Sequence, residues 1–432
     1  MADQPVYDLL IRGARVLDPG SGLEAVADLA VRASRIADVA SGLAGAARRT
    51  IDGTGLLLTP GLVDLHTHVF DGGSYWGMRP DPVAALSGVT TWVDAGSAGA
   101  YTLPALRRTL AGYAVHTKAF LHISGAGLAG QTGESVSLVN LDVEAAVDAV
   151  TANRDLICGI KVRSDRNAVG DNGLEPLRRG LAVAERTGLP VMVHVGHPPP
   201  GADEALDLLR PGDVITHCFT GVASGLLTES GGRRVVHPAA RAAYDRGVVF
   251  DLGHGSGGFD FEVAEAFAAD GLLPTVVSTD LHARSAPGPV FDLPHTMLKM
   301  LALGMPFARV LAAATAVPAG VAGLPPGTGT LSVGAPADLA LWRQVDEPMQ
   351  VADAHRHLRV APYQLVNVAT FVAGQELPVG LPAEPPGWIT RTPAVAAALQ
   401  ARRQAARALV QPPLVSADQL EEQFPPDRTE SP

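Results

Sequence analysis

His66 and His68 stand one residue apart at the end of an apolar run, Gly61 to His68. In a strand, side chains two apart leave the same face, so both imidazoles would project together from its C-terminal end. Imidazole is the commonest metal ligand and suits Zn²⁺, Fe²⁺ or Co²⁺. Alone, His-x-His is a weak signal. It gains weight from how other apolar runs end: Lys161 lies within Ile157 to Arg163, His194 follows Val191 to Val193, His217 follows Val214 to Thr216, and Asp280 follows Val276 to Thr279.

Each of these residues has a plainer reading by itself. Lys161 could snorkel from a strand end, and each histidine could be a hydrogen-bonded core residue. Their equivalent depth in separate strands favours ligation instead. The chain has three lysines against thirty arginines, so a lysine in this position is not a casual choice. Lys161 shares a face with Gly159, whose missing side chain leaves room beside it. Carboxylated by CO₂, it becomes an anionic carbamate able to bridge two metals. An isolated carboxylate at the depth of Asp280 is costly unless paired or metal-bound. His254, among glycines after Phe250 to Leu252, reads equally as a substrate contact or a loop cap. Arg163 and Arg284 are candidate anchors for a substrate carboxylate, or surface residues. Asp64, on the face of His66 but deeper, reads as a support for the ligands or a structural buried acid.

The elements that must position these residues alternate short apolar strands with Ala-rich helical stretches between Thr59 and Leu324. Strand candidates fall at 61–69, 90–96, 117–124, 156–163, 190–196, 213–219, 248–254 and 275–281. Helix candidates between them include Glu144 to Asn153 and Leu174 to Thr187. Eight such units imply an α/β fold, a parallel (β/α)8 TIM barrel, with its active site at the C-terminal strand ends. Residues 1–58 read as short strands and turns, including a hairpin over Ala27 to Val39. A similar composition returns over 325–382, so a small β-sandwich built from both chain ends is expected around the barrel at 59–324. Residues 383–432 read as a Pro-rich tail with a helix from Ala394 to Val410. Gly125 to Gly130 matches a dinucleotide fingerprint, but no helix or later acid supports it, and it reads as the loop after strand three.

Hydrophobic residues make up 47% and charged residues 18% of the 432, which fits a globular chain with ample core. The net charge of −11 argues against nucleic acid or an anionic membrane as partner. Cys158 and Cys218 are the only cysteines. Both are out of phase with neighbouring ligands and are expected to face the helix layer. The N-terminus lacks the basic and apolar regions of a signal peptide. A cytoplasmic protein is expected, acting on a small molecule as a homo-oligomer, with the 394–410 helix packing on the barrel or a neighbouring subunit.

His-x-His on strand one, lysine on strand four, histidines on strands five and six and aspartate on strand eight resemble the binuclear type of the amidohydrolase superfamily. The resemblance covers roughly residues 5 to 380. Leu10 to Asp18 and Gly329 to Leu341 look like its terminal signatures. The spacing of His194 and His217, Phe250 to Gly255, and Gly288 to Pro294 look like its dihydroorotase-related deacetylase branch. The resemblance implies two Zn²⁺ ions, one on His66, His68 and Asp280 and the other on His194 and His217. Carboxylated Lys161 and a hydroxide would bridge them, and Asp280 would shuttle the proton. The implied reaction is hydrolysis of an N-acyl amino acid or O-acyl hydroxy acid. Dihydroorotate-opening members carry an arginine two residues beyond the His-x-His pair, where this chain has Phe70. A cyclic amidase, a lyase or decarboxylase, and a non-catalytic homologue are the alternatives.

Overall fold

The computed structural model describes residues 6–379. Seven parallel strands pair in the order Val249–Asp251, Val214–Thr216, Val191–Val195, Ile157–Ser164, His116–His122, Val89–Gly99 and Leu62–Thr67. The eighth position forms no regular ladder. Parallel bridges Asp251 to Val276 and Thr67 to Leu281 nonetheless carry residues 276–281 between the first and last strands and close the barrel. His68 N donating to Leu281 O and Gly255 N to Thr279 O, both at 2.8 Å, complete the seam. The expected TIM barrel is the observed fold.

Helices cover the strands where the periodicity puts them, at Val143–Ala152 and Glu175–Thr187. Asp142 caps the first by accepting from Ala145 N. The second ends at Gly188, whose φ of 69° suits glycine. Leu65, Val93, Ala95, Phe120, Met192, Val214, Val249 and Val276 form the barrel floor, a compact apolar cluster beneath the site. Removing a ring such as Phe120 from a core like this costs roughly 3–5 kcal/mol.

Register shifts break the strict alternation assumed from sequence at four points of the barrel sheet, and two of them bear on the site. One lies between Asp64 and Thr67; it lets Leu65 join the floor while His66 and His68 still reach the centre above it. Asp64 is thereby wedged against residue 279, accepting from Thr279 N at 3.0 Å and Thr279 Oγ1 at 2.6 Å. The other bulge sets Ile157, Cys158 and Gly159 against Ala119 and Phe120. It turns Cys158 into the floor cluster, contrary to the expectation, whereas Cys218 packs in the large cluster between strands and helices.

Both chain ends share one mixed sheet, ordered 375–376, 364–372, 339–345, 57–60, 7–18, 23–32 and 35–40, with 47–52 also on 7–18. The expected hairpin is Leu23–Arg32 with Arg35–Ala40, turned through Ala33 and Ser34 at φ 49° and 65°. The strands hydrogen-bond as one continuous sheet, and residues from both ends, such as Leu9, Val16, Leu29, Leu58, Leu339 and Phe371, meet in one core. Strand Leu57–Pro60 leads directly into the first barrel strand. A second hairpin, Met349–Ala352 with Leu358–Ala361, docks on the barrel through Asp353, which accepts from Phe261 N, His355 N and His357 N. The helix expected at Ala394 to Val410 lies outside the described residues. Among those described, no helix is long and apolar enough to cross a membrane.

Candidate active site

The strand ends bring His66, His68, Lys161, His194, His217 and Asp280 to one cavity of about 240 Å³ at the C-terminal mouth of the barrel. Ligand atoms of His66, His217 and Asp280 lie within 4.8 Å of one another. Asp280 Oδ1 is 3.4 Å from His66 Nε2 and 3.2 Å from His68 Nε2. Lys161 Nζ is 3.3 Å from His66 Nε2, and His217 Nε2 is 2.8 Å from His194 Nδ1.

The outward ring nitrogens show which inward nitrogens are free to bind a cation. His217 Nδ1 meets the carbonyl of Gly253 at 2.5 Å. A carbonyl only accepts, so Nδ1 carries the hydrogen and Nε2 a lone pair. His194 Nε2 faces Asp165 Oδ2 at 3.4 Å, within ion-pair reach but without a formed hydrogen bond; the facing carboxylate favours hydrogen on Nε2 and a lone pair on Nδ1. Two lone pairs then face each other at 2.8 Å, which is repulsive unless a cation sits beside both. His66 follows the same logic. Thr216 Oγ1 gives its hydrogen to Asp251 at 2.6 Å and accepts from His66 Nδ1 at 2.8 Å, freeing His66 Nε2 towards Lys161 and Asp280. This donor set of neutral imidazoles and a carboxylate fits divalent zinc or a similar ion.

Burial holds the imidazoles of His66 and His217 well below their ordinary range and lowers His194 too. Burial also pushes Lys161 down to about 7, against the pull of Asp280 and Asp251. It works against ionised Asp280, but the surrounding histidines outweigh it and hold that carboxyl well below the carboxylate range. Room for Lys161 comes from an unexpected glycine. The space at Gly159 is filled by the ring of Phe120, whereas a Cβ on Gly96 would stand 2.5 Å from Lys161 Cβ. His217 and Asp280 themselves adopt left-handed backbone, φ 67° and 47°, a strained geometry of the kind found at functional sites.

Of the other sequence candidates, Arg163 lines the cavity, 3.5 Å from Glu134 and 3.6 Å from Asp165. His254 and Arg284 do not. His254 is fully buried within its loop with Nε2 on Lys299 Nζ at 2.6 Å, an arrangement that matches the loop-cap reading. Arg284 is exposed outside the cavity, because the chain turns away after His282. Residues missed by sequence reasoning are the supports: Asp165, Thr216, Asp251, Ser278 and Ser97. Asp251 accepts from Thr216 and Ser278 at 2.6 Å each, and Ser97 Oγ lies 2.9 Å from His68 Nδ1. His282 was also missed. Its Nδ1 accepts from the backbone of Arg284 and Ser285, so its Nε2 carries the hydrogen, 3.5 Å from Ser256 Oγ on the cavity wall. Asp165 follows the Lys161-bearing run by two residues, and Asp251 is an acid at the end of the seventh apolar strand, which are the signals that could have found them.

Residues 261–377 match the Amidohydrolase family. A deacetylase of Agrobacterium fabrum, Atu3266, is 37% identical over 387 residues, covering 87% of this chain and 89% of the relative. A solved adenine deaminase superposes with a TM-score of 0.80 at 32% identity, covering 86% of this chain and 99% of that one. A solved dihydroorotase gives 0.78 at 33%, covering 88% and 99%. The chain belongs to the amidohydrolase family. It is a hydrolase of amide bonds acting on small molecules, and the barrel-mouth cluster holds its candidate metal ligands.

Proposed function

We propose that this protein is a two-metal deacylase that cleaves a small N-acyl amino acid or O-acyl hydroxy acid to a carboxylate and the free amine or alcohol. The observation that carries the reading is the convergence of unprotonated ring nitrogens around Asp280 and Lys161. His66, His68 and Asp280 would hold one ion, and His194 and His217 the other, with Zn²⁺ the best match to the donors. When bound, such ions acidify water and polarise a carbonyl.

The chain's own groups supply the rest. Lys161, brought to about 7 by burial, has a neutral amine available near physiological pH. That form adds CO₂ to give a carbamate and releases one proton. The carbamate would replace an ammonium that two cations would repel. Asp280 turns Oδ1 to the histidines that would hold the ion, while Oδ2 packs against Gly255. It can take the proton of the attacking water and deliver it to the leaving nitrogen or oxygen. Arg163, on the cavity wall, would meet the substrate's carboxylate, and His282 Nε2–H offers a second, uncharged donor.

Phe70 stands where dihydroorotate-opening relatives are expected to carry arginine. It is buried outside the cavity, with its ring against Gly73. This supports an acyclic acyl substrate over a cyclic imide. The test is a panel of N-acetyl amino acids of both configurations, O-acetyl hydroxy acids, hydantoins and dihydropyrimidines on zinc-loaded protein. Turnover of acyl compounds is expected. Ring-opening alone would replace this reading with a cyclic amidase.

A further inference from the structure

Lys299 is one of three lysines in the chain, and it is fully buried. It projects from the helix Leu293–Ala302 under the barrel mouth. Its Nζ donates to His254 Nε2 at 2.6 Å and to the carbonyl of Pro289 at 2.8 Å. It joins three segments: its own helix, the stretch leaving Asp280, and the loop after the seventh strand. Among the described residues the proposed chemistry uses neither Lys299 nor His254.

We infer that Lys299 and His254 form a buried staple that positions the Gly253–Gly258 loop, and through it His217 and Asp280. The inference rests on the roles given above to those two residues. His254 sits between Gly253 and Gly255, whose φ values of 48° and 49° suit glycine and give a doubly left-handed turn, tied to the eighth strand by Gly255 N donating to Thr279 O at 2.8 Å. Its ring is anchored at both ends, with Nδ1 on Gly255 O at 2.9 Å and Nε2 on Lys299. The anchored turn does two jobs at the site. The carbonyl of Gly253 receives His217 Nδ1 and so fixes that ring's tautomer and direction. Gly255 lies against Asp280 Oδ2, and Gly258 against His217. Serine and glycines 256–258 then form part of the cavity wall. A shift of this turn moves the supports of both ligands together.

The choice of lysine fits the task. The pocket offers two acceptors, an imidazole nitrogen and a carbonyl. A neutral amine has two N–H donors to match them, and burial brings Lys299 down to about 7. Arginine would bring five donors and a charge it cannot shed. In a chain with thirty arginines, lysine here answers a requirement of the site.

Two measurements test the staple on full-length protein. Hydrogen exchange of amides 253–258 is read on metal-free protein, and kcat, KM and zinc retention on zinc-loaded protein. Lys299→Met, similar in length and without donors, should speed exchange in that loop selectively. Loss of an outer support of a metal ligand costs about 10–100-fold in affinity or activity. The same variant should therefore lower kcat and the retention of zinc at both proposed sites by about tenfold, with KM little changed. His254→Gln, which keeps an acceptor for Lys299 and a donor for Gly255, should recover part of the loss. His254→Phe should not, and the two His254 variants carry the test if Lys299→Met fails to fold. Native-like exchange with kcat within twofold of wild type would overturn the inference. Wild-type protein that binds no zinc would instead defeat the metal reading, and the exchange result would still report on the staple.

Discussion

Asp165→Asn is an almost isosteric change that should invert the hydrogen on His194. Asp165 Oδ1 accepts from Asn167 N at 3.0 Å at the start of a short helix. In the variant that backbone donor requires the amide oxygen, so the NH₂ group must occupy the position of Oδ2. It then faces His194 Nε2, 3.4 Å away, and Arg163, 3.6 Å away. Two donors would meet at His194 unless Nε2 gives up its hydrogen. The hydrogen then moves to Nδ1, the atom 2.8 Å from His217 Nε2, where a lone pair is needed for a metal. A lost carboxylate partner of a metal-binding histidine typically costs 10–100-fold in affinity, about 1.4–2.8 kcal/mol. Competition with a zinc chelator should show one site weakened by about that factor and the other unchanged. Turnover should fall at least as far. Two wild-type affinities together with a wild-type rate in Asp165→Asn would refute the tautomer argument.

Further outcomes follow from the same geometry. Asp280→Asn should lose at least about 10²-fold in rate even when both ions are present by elemental analysis; a fully loaded variant within tenfold of wild type would remove Asp280 from proton transfer. Gly96→Ala puts a methyl 2.5 Å from Lys161 Cβ at φ 87°. Its left-handed backbone and overpacking together should destabilise the fold by roughly 2–5 kcal/mol, read by denaturant unfolding. Lys299 falls from 10.5 to about 7 on folding, so between those values the unfolded chain binds more protons. Its contribution is complete above about 10.5 and is lost as pH falls towards 7. Wild-type stability relative to Lys299→Met should therefore rise from pH 7 to pH 9.5, and a flat difference would contradict the shift.

The candidate metal cluster was legible because its members interrupt apolar runs with residues that buried strands otherwise avoid. His66, His68, His194, His217 and Asp280 each announce themselves this way, and the rarity of lysine did the same for Lys161. What stayed hidden depends on contacts between distant segments. The bulge after Asp64 and the one at Cys158 shift side-chain phase without a local residue signal, so strict alternation misplaced Cys158 and credited Gly159 with the space that Gly96 supplies. His254 was visible as an odd residue among glycines. Its direction is set by Lys299, forty-five positions away on a helix whose own pattern is ordinary. Asp251 looks like one more strand-end acid until Thr216 and Ser278 are seen to close on it.

The central claim is that the inward nitrogens of this cluster exist to hold two divalent ions. Anomalous diffraction at the zinc edge, on crystals of protein expressed with added zinc, tests it most directly. Two peaks per chain are expected, one in reach of His66 Nε2, His68 Nε2 and Asp280, the other in reach of His194 Nδ1 and His217 Nε2, with Lys161 density extended by a carboxylate between them. Zinc-free density at the barrel mouth, with the two facing nitrogens of His194 and His217 still 2.8 Å apart, would contradict the account.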